Sequence, residues 1–106
     1  MREKLLHILP ELRRALEALY CDRLVHLVLY GSQARGDAEE GSDIDVLVVL
    51  TGEVSSMVEI ERTGDIITEL SLKYDELICC VFMDEHRFIN RSGPLLRNIR
   101  KEGIPV

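Results

Sequence analysis

No stretch of this chain is apolar for anything near the ~20 residues that a bilayer crossing requires, and its opening, MREKLLHILPELRR, carries neither an apolar h-region nor a cleavage site. The expectation is therefore a cytoplasmic protein with no membrane partner. Cysteine is scarce and odd in number. Cys21, Cys79 and Cys80 supply neither the even set of a disulfide framework nor the paired spacing of a zinc site. Cys79 and Cys80 are adjacent on an expected strand and face opposite ways, so they read as buried, reduced thiols. Basic residues are outnumbered, 13 Lys and Arg against 19 Asp and Glu for a net charge of -6, and they are scattered rather than gathered into a stripe. Holding a nucleic-acid backbone requires neutralising many phosphates, so no stable nucleic-acid binding is expected, while a single nucleotide or a basic protein partner is compatible with the charge. His7, His26 and His86 are dispersed and read as structural or exposed. Linkers, internal repeats and low-complexity tracts are absent too.

What is present is the composition of a folded domain, 46% hydrophobic and 30% charged over 106 residues. That length supports one core, so a single domain over 1–106 is expected. Leu5, Leu9, Leu12, Leu16 and Leu19 mark one face of a helix over residues 3–20 that covers the core. Pro10 either opens that helix or kinks it. Residues 54–73 read as a second helix with Met57, Ile60, Ile67 and Leu70 along its inner side, Gly64 being a weak point or a close packing contact. Strands are expected at 24–30, 44–50 and 77–83. Pro94 in a first turn, Leu95, Leu96 and Ile99, then Gly103, describe a closing helix. The fold class is α/β (α+β): a small mixed sheet of about three strands flanked by helices, with the strand, helix, strand passage from 44 to 83 making a parallel crossover.

The chain is organised around residues 24–50, LVHLVLYGSQARGDAEEGSDIDVLVVL. Two Val, Leu and Ile runs flank a polar segment that holds Gly31, Ser32, Gly41 and Ser42 and ends in Asp43-Ile44-Asp45. Residues two apart on a strand share a face, so Asp43 and Asp45 form a carboxylate pair. Paired carboxylates repel, and one protonates unless a cation lies between them. Mg²⁺, which takes oxygen ligands and shares its shell with substrate phosphates, meets that requirement. Gly31 lets backbone N–H groups approach an anion, and the Ser32 hydroxyl adds a donor. A helical turn over Gln33-Ala34-Arg35-Gly36 would aim the N–H groups of Ser32, Gln33 and Ala34 at a phosphate. Arg35 reads either as a phosphate ligand or as a brace for carboxylates such as Asp37. Asp37, Glu39 and Glu40 read as solvated loop charges.

Gly31-Ser32, ten residues, then Asp43-x-Asp45 resembles the signature of the nucleotidyltransferase superfamily that includes DNA polymerase beta and kanamycin nucleotidyltransferase. Tyr30-Gly31-Ser32-Gln33-Ala34-Arg35-Gly36 and Gly41-Ser42-Asp43-Ile44-Asp45-Val46-Leu47 match its motif nearly residue by residue, and the small size is most similar to the minimal nucleotidyltransferase (MNT) branch. The resemblance implies the polymerase beta-like nucleotidyltransferase fold. It also implies transfer of a nucleoside monophosphate, AMP from ATP in the leading reading, to an acceptor hydroxyl. Asp43 and Asp45 would hold Mg²⁺, and Gly31, Ser32 and Arg35 would hold the nucleotide's phosphates. A third catalytic carboxylate is implied on a later strand; Glu76 abuts the apolar run and is favoured over Asp75, with Asp84 a poorer candidate at the far end. Family members usually place that carboxylate inside the strand, where this chain has Leu77, Ile78, Cys79 and Cys80, so its loss is the alternative. With no acceptor domain in the sequence, the resemblance points to an MntA-like antitoxin that modifies and binds a HEPN-type toxin partner. The alternatives are a catalytically degenerate nucleotide-binding or partner-masking module, and a stand-alone enzyme for a small hydroxylated molecule, for which a homodimer could build the acceptor site.

Overall fold

The computed structural model describes residues 2–106. Its frame is a mixed sheet in the order β3-β2-β1-β4. β1 (Leu24–Tyr30) and β2 (Ile44–Leu50) are antiparallel, and β2 and β3 (Ile78–Asp84) are parallel across the expected crossover. The run Val46 to Leu50 is fully buried, which is why a strand lying in the middle of the sheet carries so few polar residues. The sheet has a fourth strand that was not expected, β4 (Ile104–Pro105), which pairs through Leu29↔Ile104 and Val28↔Pro105. Two residues are too short to show a period of their own; only the pairing with β1 defines this strand.

Strand alternation divides the core into two layers. Leu27, Leu29, Ile44, Val46, Val48, Leu50, Ile78 and Phe82 pack against α1 (Glu3–Tyr20) and Leu70 of α3 (Ser56–Tyr74). The opposite face, Val28, Leu47, Val49 and Met83, lies under Leu96 and Ile99 of α5 (Pro94–Glu102). α1 runs unbroken through Pro10. That proline is on the exposed side, beside Leu6, so the carbonyl it leaves without an intrahelical donor is open to water. The inner stripe of α1 is Leu5, Ile8, Leu9, Leu12, Leu16 and Tyr20, whereas Leu19 is 38% exposed. α5 opens at Pro94 and closes before Gly103 as expected, with Gly93 as the residue before it. A short helix α4 (Glu85–Asn90) was not expected; Asp84 caps it, its carboxylate accepting the Arg87 N–H at 2.8 Å. Among the described residues, no helix is long and apolar enough to cross a membrane.

α3 corrects the expected inner face. Met57 and Ile60 are exposed, at 79% and 58%, and the buried positions are Glu59, Thr63 and Leu70. The polar pair goes inward because its hydrogen bonds are met there. The Tyr20 hydroxyl donates to the Glu59 carboxylate at 2.8 Å, Arg62 lies 3.3 Å from the same oxygen, and the Thr63 hydroxyl donates to the Glu59 carbonyl at 2.8 Å. Periodicity alone favoured the apolar side because it counts hydrophobicity and not available partners. Gly64 is a weak point rather than a close contact, since a Cβ there would meet nothing within 4 Å. Replacing Tyr20 by Phe leaves the buried carboxylate without its hydroxyl donor, and urea unfolding of Tyr20→Phe is expected to show a loss of about 1–3 kcal/mol.

Candidate active site

The site begins where β1 ends. Tyr30 pairs with Asp45 across the antiparallel ladder, so the first residue beyond β1 arrives beside that carboxylate. Gly31 occupies φ 77°, ψ −157°, a region essentially confined to glycine. A Cβ on it would lie 2.6 Å from Asp45 Oδ2. Glycine is thus required twice, by the backbone and by the neighbour. The chain then makes the single helical turn α2 (Ser32–Arg35) and leaves it through Gly36 at φ 83°. Within that turn the Ala34 and Arg35 N–H groups both donate to the Gly31 carbonyl at 3.1 Å. The Ala34 donor expected to face a phosphate is therefore used inside the turn.

Gln33 is a site-building residue that sequence reasoning passed over. It is buried, its amide donates to the Ser42 carbonyl at 3.3 Å, and its oxygen accepts from Arg2 Nε at 3.0 Å. Ser42 in turn accepts the Glu39 N–H on its hydroxyl at 3.0 Å. These bonds tie the loop from Gly36 to Asp43 to α2 and to the start of α1. A glutamine three residues after the strand carried no side-chain signal beyond its place in the motif.

Alternation along β2 sets Asp45 on the face of Leu47 and Val49, at the strand's beginning, ahead of the part covered by α5. The parallel register places Cys79 opposite Asp45. Ligand atoms of Asp43, Asp45 and Cys79 all lie within 4.8 Å of one another, with Cys79 Sγ 3.7 Å from Asp43 Oδ2. Burial first, and then the charge of Asp43, push the Asp45 carboxyl above its ordinary range, with Arg35 acting the other way. The Cys79 thiol is raised by burial and by both carboxylates. The Tyr30 phenol is raised by burial and then by Asp45. These are the marks of negative charge gathered in a half-buried place, a setting that a cation relieves.

Glu76, expected as the third carboxylate, is placed elsewhere. β3 begins at Ile78, and Glu76 turns toward the α1 side, where its Oε1 meets Arg2 at 3.0 Å and Lys4 at 3.7 Å. It shares the parity of Ile78, which faces the α1 and α3 layer, whereas Cys79 shares that of the site. Asp75 is an exposed left-handed residue ending α3, at φ 53°. Among the described residues, the third member of the cluster is Cys79 rather than a carboxylate. The thiols also depart from a common buried role: Cys21 is exposed, and Cys80, on the α1 and α3 side, is pushed up to about 12 by burial. Arg35 acts as the brace, 3.1 Å from Asp37 and 3.0 Å from Glu102 of α5. Glu39 and Glu40 are exposed, as expected, and so are His7, His26 and His86.

Comparison with known proteins adds to this geometry. The model of the nucleotidyltransferase domain family matches residues 9–106. A Methanocaldococcus jannaschii protein provisionally named a protein adenylyltransferase is 35% identical over 96 residues, which cover 90% of this chain and 90% of that one. A crystal structure of a toxin-antitoxin with AMP-PNP has a chain that superposes with a TM-score of 0.63 at 18% identity, covering 93% of this chain and 69% of that one. A structure of tri-AMPylated Shewanella oneidensis HEPN toxin in complex with MNT antitoxin has a chain with a TM-score of 0.51 at 15% identity, covering 92% and 70%. At those identities the two structures speak to the fold.

Two expected outcomes follow from the geometry. Gly31→Ala must move Asp45 and leave the glycine-only backbone region, so thermal or urea unfolding should show a loss of about 1–3 kcal/mol. Because the folded chain holds the Asp45 proton more tightly than the unfolded chain, that group's contribution to stability is full below its unfolded pKa and is lost as pH rises through its folded one. Asp45→Asn should therefore unfold at a higher temperature than the parent above the carboxylate range, and the difference should shrink on acidification.

Proposed function

This chain belongs to the nucleotidyltransferase domain family, and from that premise we propose that it transfers AMP from ATP to a hydroxyl of a HEPN-type toxin and so acts as its antitoxin in the cytoplasm. The observation that carries the proposal is the approach of Gly31 to Asp45, which leaves no room for even a Cβ between the phosphate-side backbone and the carboxylate pair. A triphosphate bound along Gly31 and Ser32 then has its reacting phosphorus next to Asp43 and Asp45. The name of the M. jannaschii relative and the AMPylated toxin of the S. oneidensis complex support the choice of AMP and of a protein acceptor.

In this reading the acceptor oxygen forms a bond to the α-phosphorus, the bond to the β-phosphate bridge breaks, and pyrophosphate leaves. The demands on the protein are alignment and charge placement. Gly31 and Ser32 hold the β- and γ-phosphates, Gln33 keeps the loop before Asp43 in place, and Asp43 and Asp45 hold the divalent cation. Their hard oxygens suit Mg²⁺, which when bound neutralises triphosphate charge and lowers the acceptor hydroxyl's pKa. Arg35 keeps α2 against α5 through Glu102 and tempers the charge at Asp45. Glu76 is a structural partner of Arg2 and Lys4, and the acceptor's proton leaves to solvent.

A partner-masking module is the second reading, and the thiol of Cys79 in the third position favours it. The two separate in one experiment. The purified chain is incubated with Mg²⁺, α-labelled ATP and a HEPN protein encoded beside it, with Asp43→Asn and Asp45→Asn as controls. Label on the HEPN protein that falls to background in both controls is the expected result. A stable complex that neutralises the toxin without label, and does so equally with the controls, would replace transfer by masking.

A further inference from the structure

We propose that Cys79 is a ligand in the metal site of Asp43 and Asp45, and that it turns the site's preference from Mg²⁺ toward a thiolate-accepting divalent cation of the Zn²⁺ and Co²⁺ class. The inference rests on the reading that the carboxylate pair holds a metal, and it deepens that reading by naming the kind of metal. Three observations carry it. The strand register sets Cys79 directly across from Asp45, on the side of the sheet that carries the pair. The donor atoms of all three residues lie within 4.8 Å, and Cys79 Sγ stands 3.7 Å from Asp43 Oδ2. A sulfur and an oxygen on one tetrahedral Zn²⁺ are about 3.6 Å apart, given metal distances of about 2.3 and 2.1 Å, so the Cys79 and Asp43 atoms already stand at the spacing of two ligands on one ion. The donor set is the third: Mg²⁺ takes oxygen almost without exception, whereas two carboxylates and one thiolate suit a borderline cation.

Three protein ligands leave a coordination position for a substrate oxygen, the pattern of catalytic rather than structural zinc sites. Gly31, having no Cβ, lets the backbone pass beside Asp45 without displacing its carboxylate. Coordination exchanges the thiol proton for the metal and releases that proton to solvent; no electron moves. The other two cysteines cannot substitute, since Cys80 packs with the α1 and α3 layer and Cys21 is exposed beyond the end of α1.

The test is a titration of the purified chain with Co²⁺ in the absence of nucleotide and acceptor, read by the near-ultraviolet thiolate-to-cobalt charge-transfer band. A saturable band is expected that Zn²⁺ removes and a large excess of Mg²⁺ does not. Cys79→Ser should abolish it and lower Co²⁺ affinity at least about tenfold, while Cys21→Ser and Cys80→Ser keep it. Cys79→Asp should restore binding without the band and let Mg²⁺ compete. The unsubstituted chain gives a measurement that no folding defect can confound: alkylation of Cys79, followed by mass spectrometry, should be slowed by Zn²⁺ and not by Mg²⁺. A band that survives Cys79→Ser, or calorimetric Co²⁺ binding with no band and no protection of Cys79, would overturn the proposal. Because neither readout uses ATP or a toxin, AMP transfer that stays absent with Mg²⁺ and with Zn²⁺ or Co²⁺ alike, beside an intact band, would remove the transferase reading and leave this one standing.

Discussion

Two negative charges are held at the mouth of a buried strand, and the surrounding fold is arranged to permit it. β2 is the most deeply buried strand, and Asp45 interrupts its apolar run. A carboxylate in that position costs free energy through desolvation and through its neighbour Asp43, which is visible in its raised pKa. The cost is tolerable because the strand's beginning is left uncovered by α5, and Arg35, itself anchored on Asp37 and Glu102, supplies opposing charge. Strain at Gly31 belongs to the same arrangement: the chain adopts a backbone that other residues avoid so that it can pass beside Asp45. Destabilisation held in this way is the usual companion of a site that gains its stability only when a ligand arrives.

The loop between the glycine and the aspartates owes its position to long-range hydrogen bonds rather than to its own sequence. Arg2 serves two masters, donating to Gln33 from Nε and to Glu76 from Nη1, at 3.0 Å each. Gln33 passes that hold to Ser42, the residue before Asp43. The start of α1 therefore fastens both the loop that carries the carboxylates and the turn that leads into β3. The matched family segment begins at residue 9, so this fastening by Arg2 lies before it.

Cys79 unites the fold with the functional question. Parity and register bring a thiol of β3, rather than another carboxylate, to the face that carries Asp43 and Asp45. The thiol stands beside Asp43 and Asp45, so a sulfur at this position bears on which cation the pair holds and on whether the pair holds one at all.

Local chemistry determined a large part of this protein. The Gly31-Ser32 and Asp43-x-Asp45 spacing, the apolar runs of β1, β2 and β3, the stripe of α1 and the Pro94-to-Gly103 helix were all legible, because each is written in residues close together in sequence whose period or turn chemistry acts over a few positions. What tertiary structure alone decided were the partners. Glu59 and Thr63 turned inward because Tyr20 of another helix satisfied the Glu59 carboxylate; Glu76 turned from the site because Arg2 and Lys4 stood on the other side of the sheet; β4 exists because β1 had an edge to pair. Cys79 came to the carboxylates through the offset between two parallel strands, a quantity that hydrophobic period cannot carry because apolar residues occupy both faces of β2 and reach both faces of β3. Pattern fixes the kind of element, while register and charge pairing across the sheet are settled only when the elements meet.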